Sequence, residues 1–266
     1  MLQKVTYGQL RPSKHEVSNV KILDQVVPIT SGGRLLGAHV AYGRNVCNHL
    51  VEKRVLRGVA VCERVRWVPL PMAVRARLLS SLVLPATLYG SCVGGMGNNL
   101  MNMLTSAIMR AVWGTKRKLR CREIVLTLLV QGHLVDPRQV YIYQALHTMR
   151  SFVNKHPDVY HVVRNCWQRY VHGCVNVPGP IGLVFQHVIS LGWSWTSFHI
   201  FERPGRPSLP VFGGLDTWWT QELREAIQLS MWSVVGRRRH DMQGIEAPQG
   251  IDRKATLALY NRPLLA

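Results

Sequence analysis

The chain contains 266 residues, of which 47% are hydrophobic and 18% charged, and its 33 Lys and Arg against 14 Asp and Glu give a formal net charge of +19. This length and apolar fraction are typical of one or two globular domains and exclude a disordered basic tail. The positive charge comes from 25 Arg and 8 Lys. Because a guanidinium binds phosphate through two parallel hydrogen bonds and stacks on bases, the arginine excess favours a nucleic-acid partner.

Cysteine spacing and hydropathy bear on the cellular compartment. The six cysteines form no CxxC pair, and the N-terminus has no recognisable secretory signal, so we expect a reduced, intracellular chain, nuclear or cytoplasmic. Two segments without charged residues, Leu78–Met109 and Tyr170–Phe201, are interrupted by prolines or glycines and predict no membrane span. The cysteines are Cys47, Cys62, Cys92, Cys121, Cys166 and Cys174.

The first part of the chain predicts a small β element. Residues 1–16 show no regular pattern, and we expect them to be disordered or irregular. Apolar residues between Val20 and Ile29 predict a short strand pair, and a glycine turn leads to a second predicted strand over Arg34–Tyr42. Residues 17–46 are therefore a predicted β-hairpin element that is too small to fold alone.

Helical periodicity starts near Cys47, and we predict a helical domain over residues 47–172. Between Cys47 and Trp67, apolar residues recur at steps of three and four on the face opposite Lys53, Arg57 and Arg64. These three side chains span about 16 Å along a helix, enough to meet more than one backbone phosphate. Taken alone, the same pattern also fits the solvated outer face of a core helix, which is the commoner case.

Further helices follow in the same domain. Prolines open a predicted helix at Met72–Leu84 that carries Arg75 and Arg77 and is closed by Pro85 and then Leu88-Tyr89-Gly90. The next helix covers Leu100–Trp113 and stops at Gly114. A short helix spans Cys121–Val130, Asp136-Pro137 caps a long helix to about Asn154, and another helical piece runs to Tyr170. A dense basic cluster follows Gly114 and reaches into the start of the short helix: Lys116, Arg117, Lys118, Arg120 and Arg122.

The C-terminal part is predicted to be less regular. Residues 173–216 are a predicted linker with one short helix, Ile181–Leu191, and a Pro/Gly-rich loop over Glu202–Gly214. Residues 217–266 form a predicted basic helical extension that begins with a helix over Thr217–Val235. We interpret five tryptophans as core anchors rather than base-stacking platforms, since no alternating aromatic and basic pattern accompanies them: Trp193, Trp195, Trp218, Trp219 and Trp232.

Several kinds of catalytic or ligand site are not supported by the sequence. Two-metal phosphoryl transfer needs clustered carboxylates, whereas no two of the 14 acidic residues are adjacent. The glycine-rich run Gly94–Asn99 has no preceding strand and is a weak phosphate-loop candidate. An enzyme using His133 or His147 with Asp136 is also conceivable, but a helix cap explains Asp136 better. One group of possible zinc ligands lacks the usual paired spacing: His156, His161, Cys166, His172 and Cys174.

The order of the segments nevertheless resembles a known family. The strand at Val20, the segment Arg34-Leu-Leu-Gly37, the basic helix, Trp67-Val-Pro-Leu-Pro-Met and Leu82–Gly90, with its Leu-Tyr-Gly end, occur in sequence. This series resembles the end of the palm and the helical thumb of non-LTR (LINE-type) retrotransposon reverse transcriptases. The helix ending at Gly114 and the Glu123–Leu126 helix continue the similarity, which covers about residues 17–150. More weakly, Arg237–Ile245 and Gly250–Thr256 resemble the segment that follows the thumb in some of these elements.

The resemblance implies a mainly α fold, a helical thumb-like bundle preceded by the hairpin that ends a reverse-transcriptase palm. Leu36 and Gly37 would belong to the primer-grip strand. The family's catalytic aspartates would lie before this strand, so this chain is expected to lack them, to hold no cofactor itself and not to polymerise alone. Any Mg²⁺ would belong to the missing catalytic core. The implied partners are RNA or an RNA–DNA hybrid and a separate catalytic chain, with no membrane.

The thumb interpretation assigns the backbone contacts to basic residues of the helices and the loop, because phosphate contacts position a duplex without reading its sequence. The alternative is a stand-alone basic helical module that binds RNA or a protein and has no catalytic activity. An upstream reading frame that encodes the Asp-Asp hairpin would favour the fragment. The candidate nucleic-acid-binding residues are Lys53, Arg57, Arg64, Arg75, Arg77, Lys116, Arg117, Lys118, Arg120 and Arg122.

Overall fold

A computed structural model of the chain describes residues 49–113, 122–130, 132–173 and 179–238, four short strands before residue 49, and residues 252 and 254–255. The described part is mainly helical, with one three-stranded antiparallel sheet in the C-terminal half. The predicted mainly α fold class is thus confirmed in this coarse form. Among the described helices, none is long and apolar enough to cross a lipid bilayer.

Two small hairpins occupy the N-terminal region. Strand β1 (Asn19–Ile22) pairs antiparallel with β2 (Gln25–Pro28), and β3 (Gly32–Leu35) pairs antiparallel with β4 (Ala38–Ala41). The predicted strand pair near Val20 is confirmed, but the single strand predicted over Arg34–Tyr42 is wrong. The chain reverses between Leu35 and Ala38, and a glycine in a two-residue connection favours such a reversal. Leu36 and Gly37 themselves lie outside the described residues.

The next segment is a set of helices packed against its first helix. Pro85 does not end the predicted Met72–Leu84 helix, which continues to Leu88 because a wider π-helical turn precedes the proline and relieves its ring from the preceding carbonyls. The Ser80 and Ser81 hydroxyls donate to the Arg77 carbonyl oxygen in this turn. The elements are α1 (His49–Trp67), α2 (Met72–Leu78), the π-helical Leu79–Val83, α3 (Leu84–Leu88), α4 (Ser91–Gly94) and α5 (Asn98–Trp113).

The middle of the chain follows the sequence prediction closely. Asp136 caps the long helix as expected, since its carboxylate accepts a hydrogen bond from the Arg138 amide at 3.0 Å. The helices here are α6 (Arg122–Ile124) with a π-helical continuation, Val125–Leu129, then α7 (Gly132–Val135), α8 (Pro137–Lys155) and, after a 3₁₀ turn at Pro157–Val159, α9 (Tyr160–Val171).

The C-terminal region differs from its prediction. The loop predicted over Glu202–Gly214 is wrong, because this segment contains the end of one strand and the whole of the next in a three-stranded antiparallel sheet. Its prolines are tolerated since β7 lies at the edge of the sheet, where a missing N–H breaks no ladder with a further strand. The elements are α10 (Pro180–Ser190), β5 (Ser194–Ser197), β6 (Ile200–Arg203), β7 (Arg206–Pro210) and α11 (Asp216–Arg238).

Two apolar cores share helix α8. The first collects side chains of α1, α2, α3 and α5 and extends to Tyr141 on α8. The second begins at Leu146 on the same helix and includes α9, α10, the sheet and α11. Four of the five tryptophans predicted as core anchors are buried, and Trp218 is 39% exposed. Helix α8 therefore fixes the two halves of the fold to each other.

Candidate nucleic-acid interface

Helix α1 separates an apolar face from a basic face. Val51, Val55, Gly58, Cys62 and Val65 are buried, and Cys62 lies in the first core. At about 100° per residue, Lys53, Arg57 and Arg64 fall within about 40° of one another on the opposite side. All three are exposed, as the sequence predicted.

These three charges are left without a counter-ion in the described part of the structure, where Lys53, Arg57 and Arg64 form no ion pair. Two other arginines nearby do form ion pairs. Arg66 and Arg110 share the Glu63 carboxylate, each at 3.2 Å. The excess positive potential of α1 is therefore concentrated on the exposed face.

Trp67, the last residue of α1, continues this face. Spacings of three and four residues place it in line with Arg64 and the exposed Ala60. Its side chain is 71% exposed, and the Arg66 guanidinium lies 5.5 Å from its ring centroid. We call the three cations Lys53, Arg57 and Arg64 the α1 stripe, and together with Trp67 this face extends over about 21 Å. Sequence reasoning missed Trp67 as a site residue, although its helical phase with Arg64 was a visible signal.

The two candidates on α2 have different environments. The Arg75 guanidinium is half-buried, donates to the Arg66 carbonyl oxygen at 3.5 Å and has its pKa lowered by burial. It therefore braces the end of α1, whose carbonyls attract a cation. Arg77 is exposed one turn into α2.

Of the remaining candidates, one is half-buried and paired, and the others lie outside the described residues. Arg122 is half-buried and pairs with Glu123 at 3.0 Å. Lys116, Arg117, Lys118 and Arg120 lie outside the described residues, as do the primer-grip candidates Leu36 and Gly37.

Helix α8 places His147 eleven residues, about 16 Å, beyond its cap Asp136, so these two do not form the acid–base pair considered from the sequence, and the side chain of His133 lies outside the described residues. Asp136 is buried at its cap position, and burial raises the pKa of its carboxyl group. His147 instead stacks on Tyr143, with ring centroids 5.2 Å apart. Burial raises the pKa of the Cys62 thiol to about 12, so this cysteine is protonated at neutral pH.

Metal ligation finds no support among the described histidines, cysteines and acids, no three of which are grouped to hold an ion. His156, His161, Cys166 and His172 belong to that set, while Cys174 lies outside the described residues.

Two of the cavities among the described residues open between helices. The larger, about 440 Å³, lies among α5, α8, α10 and α11 and is lined by Met96, Met101, Arg138, Tyr141 and His187, among others. The smaller, about 230 Å³, lies beside Tyr143 and Arg224. Neither cavity brings several charged groups together. In the larger one, Arg138 is bonded to the Asn102 side chain and burial lowers the pKa of His187 to about 4. In the smaller one, Arg224 is the charged residue among the lining side chains.

Comparisons of the chain with protein-family models, with curated proteins and with solved structures gave no match.

Proposed function

We propose that this chain binds the sugar–phosphate backbone of nucleic acid through the α1 stripe, as the thumb-like part of a retroelement-derived reverse transcriptase fragment. The observation that carries the proposal is the stripe itself: three exposed cations, with no ion pair to any described residue, on one face of a helix whose other face anchors a core. A rigid row of cations of this kind contacts successive phosphates without reading bases.

The net charge of +19 supports the same partner. The order of segments that resembles a LINE-type palm and thumb makes an RNA–DNA hybrid the expected substrate. The chain would position this hybrid, and catalytic carboxylates with their Mg²⁺ would come from a separate catalytic chain. The alternative is a stand-alone basic module that binds RNA or a protein, has no catalytic activity and has no preference for an RNA–DNA hybrid.

Fluorescence anisotropy with labelled RNA–DNA hybrids of two unrelated sequences tests this proposal. We expect equal affinity for both sequences, and a loss on the order of tenfold or more in the triple variant K53A/R57A/R64A. A matched control, K155A/R164A/R169A, removes one lysine and two arginines that are also exposed but lie on α8 and α9.

The control should change the affinity by less than about twofold. Equal losses in the two triple variants would contradict the stripe as the site, because they would show that only the total charge matters. No binding by a folded wild-type chain at low salt would contradict the function itself.

A further inference from the structure

Trp67 is a large apolar side chain that the fold leaves exposed to solvent. The side chain projects from the last turn of α1 and is 71% exposed, whereas Trp193, Trp195, Trp219 and Trp232 are buried. Leaving a large apolar ring in water forgoes the stabilisation that its burial would give. Contact between the ring and a binding partner would recover this stabilisation.

The ring is held in place rather than free to collapse. The Arg66 guanidinium lies over the ring at 5.5 Å and is itself bonded to Glu63. The Val68 amide donates to the Val65 carbonyl oxygen at 3.2 Å, and Pro69 follows directly. With a cation over one face, the high exposed fraction means that the other face is open to solvent.

The stripe indicates what the open face meets. Lys53, Arg57 and Arg64 lead along α1 to Trp67, so a strand whose phosphates follow the cations arrives at the ring. Inside a duplex, both faces of each base are covered by its neighbours. An unpaired base beyond the end of the duplex offers a free face for stacking on an aromatic side chain.

We propose that Trp67 is a stacking platform for an unpaired base at the junction between duplex and single strand, with the duplex backbone on the α1 stripe. This inference rests on the proposed function and adds to it a preference for junctions. The stacking partner is any base, since every base has a π-face.

The test compares a blunt RNA–DNA hybrid with the same hybrid carrying a short single-stranded extension, whose first unpaired base is 2-aminopurine. The wild-type chain should bind the extended hybrid on the order of tenfold more tightly and quench the probe. W67A and W67L should lose both effects while keeping the affinity for the blunt hybrid. W67F, which retains an aromatic face, should keep most of the preference.

W218A is the matched control, because Trp218 is the next most exposed of the tryptophans discussed and lies on α11. It should change neither measurement. Retention of the preference and of the quenching in W67A would overturn the inference, as would an equal loss of affinity for both hybrids. If the wild-type chain binds the blunt hybrid but shows no preference, the inference alone fails. If it binds neither hybrid, the proposed function fails and the inference fails with it.

Discussion

Gly58 lets α1 and α3 approach closely. A Cβ atom added to Gly58 would lie 2.2 Å from the Thr87 Cγ2 methyl, which is far inside van der Waals contact. Thr87 is buried and its hydroxyl donates to the Val83 carbonyl oxygen at 2.8 Å, so the methyl has little room to move. Although alanine is the better helix former by about 1 kcal/mol, G58A should lower the free energy of unfolding by about 1–3 kcal/mol because of overpacking.

Chemical denaturation of G58A, T87S and the double variant checks this contact. T87S removes the methyl and keeps the hydroxyl, so G58A/T87S should be more stable than the sum of the single changes predicts. Strict additivity of the two changes would contradict the close approach.

His187 makes stability depend on pH. It packs edge-on against Tyr141, with ring centroids 5.0 Å apart, and its Nε2 atom has no hydrogen-bond partner among the described residues. Burial lowers its pKa from 6.5 to about 4. The folded state thus prefers the neutral ring, and the unfolded chain binds the extra proton between these values. This contribution to stability is complete above pH 6.5 and is lost as the pH falls toward 4.

We expect the wild-type chain to lose about 2 kcal/mol of unfolding free energy from this residue between pH 7 and pH 5. H187L should remove that part of the loss, measured by urea denaturation at both pH values. H161Q is the control, since His161 is exposed. The same loss in H187L as in the wild type would show that His187 is not the titrating group.

For individual residues, the sequence was sufficient to predict exposure where helical periodicity alone decides it. Steps of three and four residues placed Lys53, Arg57 and Arg64 opposite the buried valines of α1. Gly58 was not predictable as a contact residue, because its partner Thr87 comes 29 positions later and belongs to a helix predicted to end before it. The same spacing would have placed Trp67 in line with the stripe, but a helix-terminal tryptophan is more often a core anchor.

Among the elements, α8 anchors the segment before α11 through a buried arginine. The Arg150 guanidinium donates to the Gly213 carbonyl oxygen and pairs with the Asp216 carboxylate. It also lies 4.9 Å from the Trp219 ring centroid. Asn154, one turn later, donates to the Val211 carbonyl oxygen at 3.0 Å. These contacts explain why a glycine-containing segment has a defined path.

R150M should therefore lower the free energy of unfolding by about 1–3 kcal/mol, because it leaves the Gly213 carbonyl without this donor while it keeps much of the apolar bulk. Denaturation followed by tryptophan fluorescence measures the change next to Trp219. R164M is the matched control, because Arg164 is exposed on α9. An R150M variant as stable as R164M would contradict the anchoring role.

Element prediction failed where a local rule had two solutions. The prolines and glycines of Glu202–Gly214 are typical of loops, but they also fit a hairpin whose outer strand is an edge. Tertiary contacts decide in favour of the sheet. Arg203 pairs through its Nη1 with Glu222 of α11 at 2.6 Å, and Phe201 is fully buried in the second core. Neither contact can be inferred from local spacing.

For the whole molecule, the mainly helical class followed from the helical periodicity between residues 47 and 172. The division into two cores did not, because the second core starts inside α8, at Leu146, instead of after residue 172. A helix that supplies different side chains to two cores carries one continuous pattern, and so the sequence shows no boundary there. The consequence for function is that the α1 stripe lies on a helix whose opposite face is packed into the first core.

The most direct measurement is the salt dependence of RNA–DNA hybrid binding, taken as the slope of log K against log salt concentration. Counter-ion release makes this slope proportional to the number of phosphates neutralised, about 0.9 for each. We predict a linear decrease for the wild type and a slope shallower by about 2–3 in K53A/R57A/R64A, with no such change in K155A/R164A/R169A. A slope that is the same in both triple variants would contradict the central claim that the α1 stripe contacts the nucleic-acid backbone.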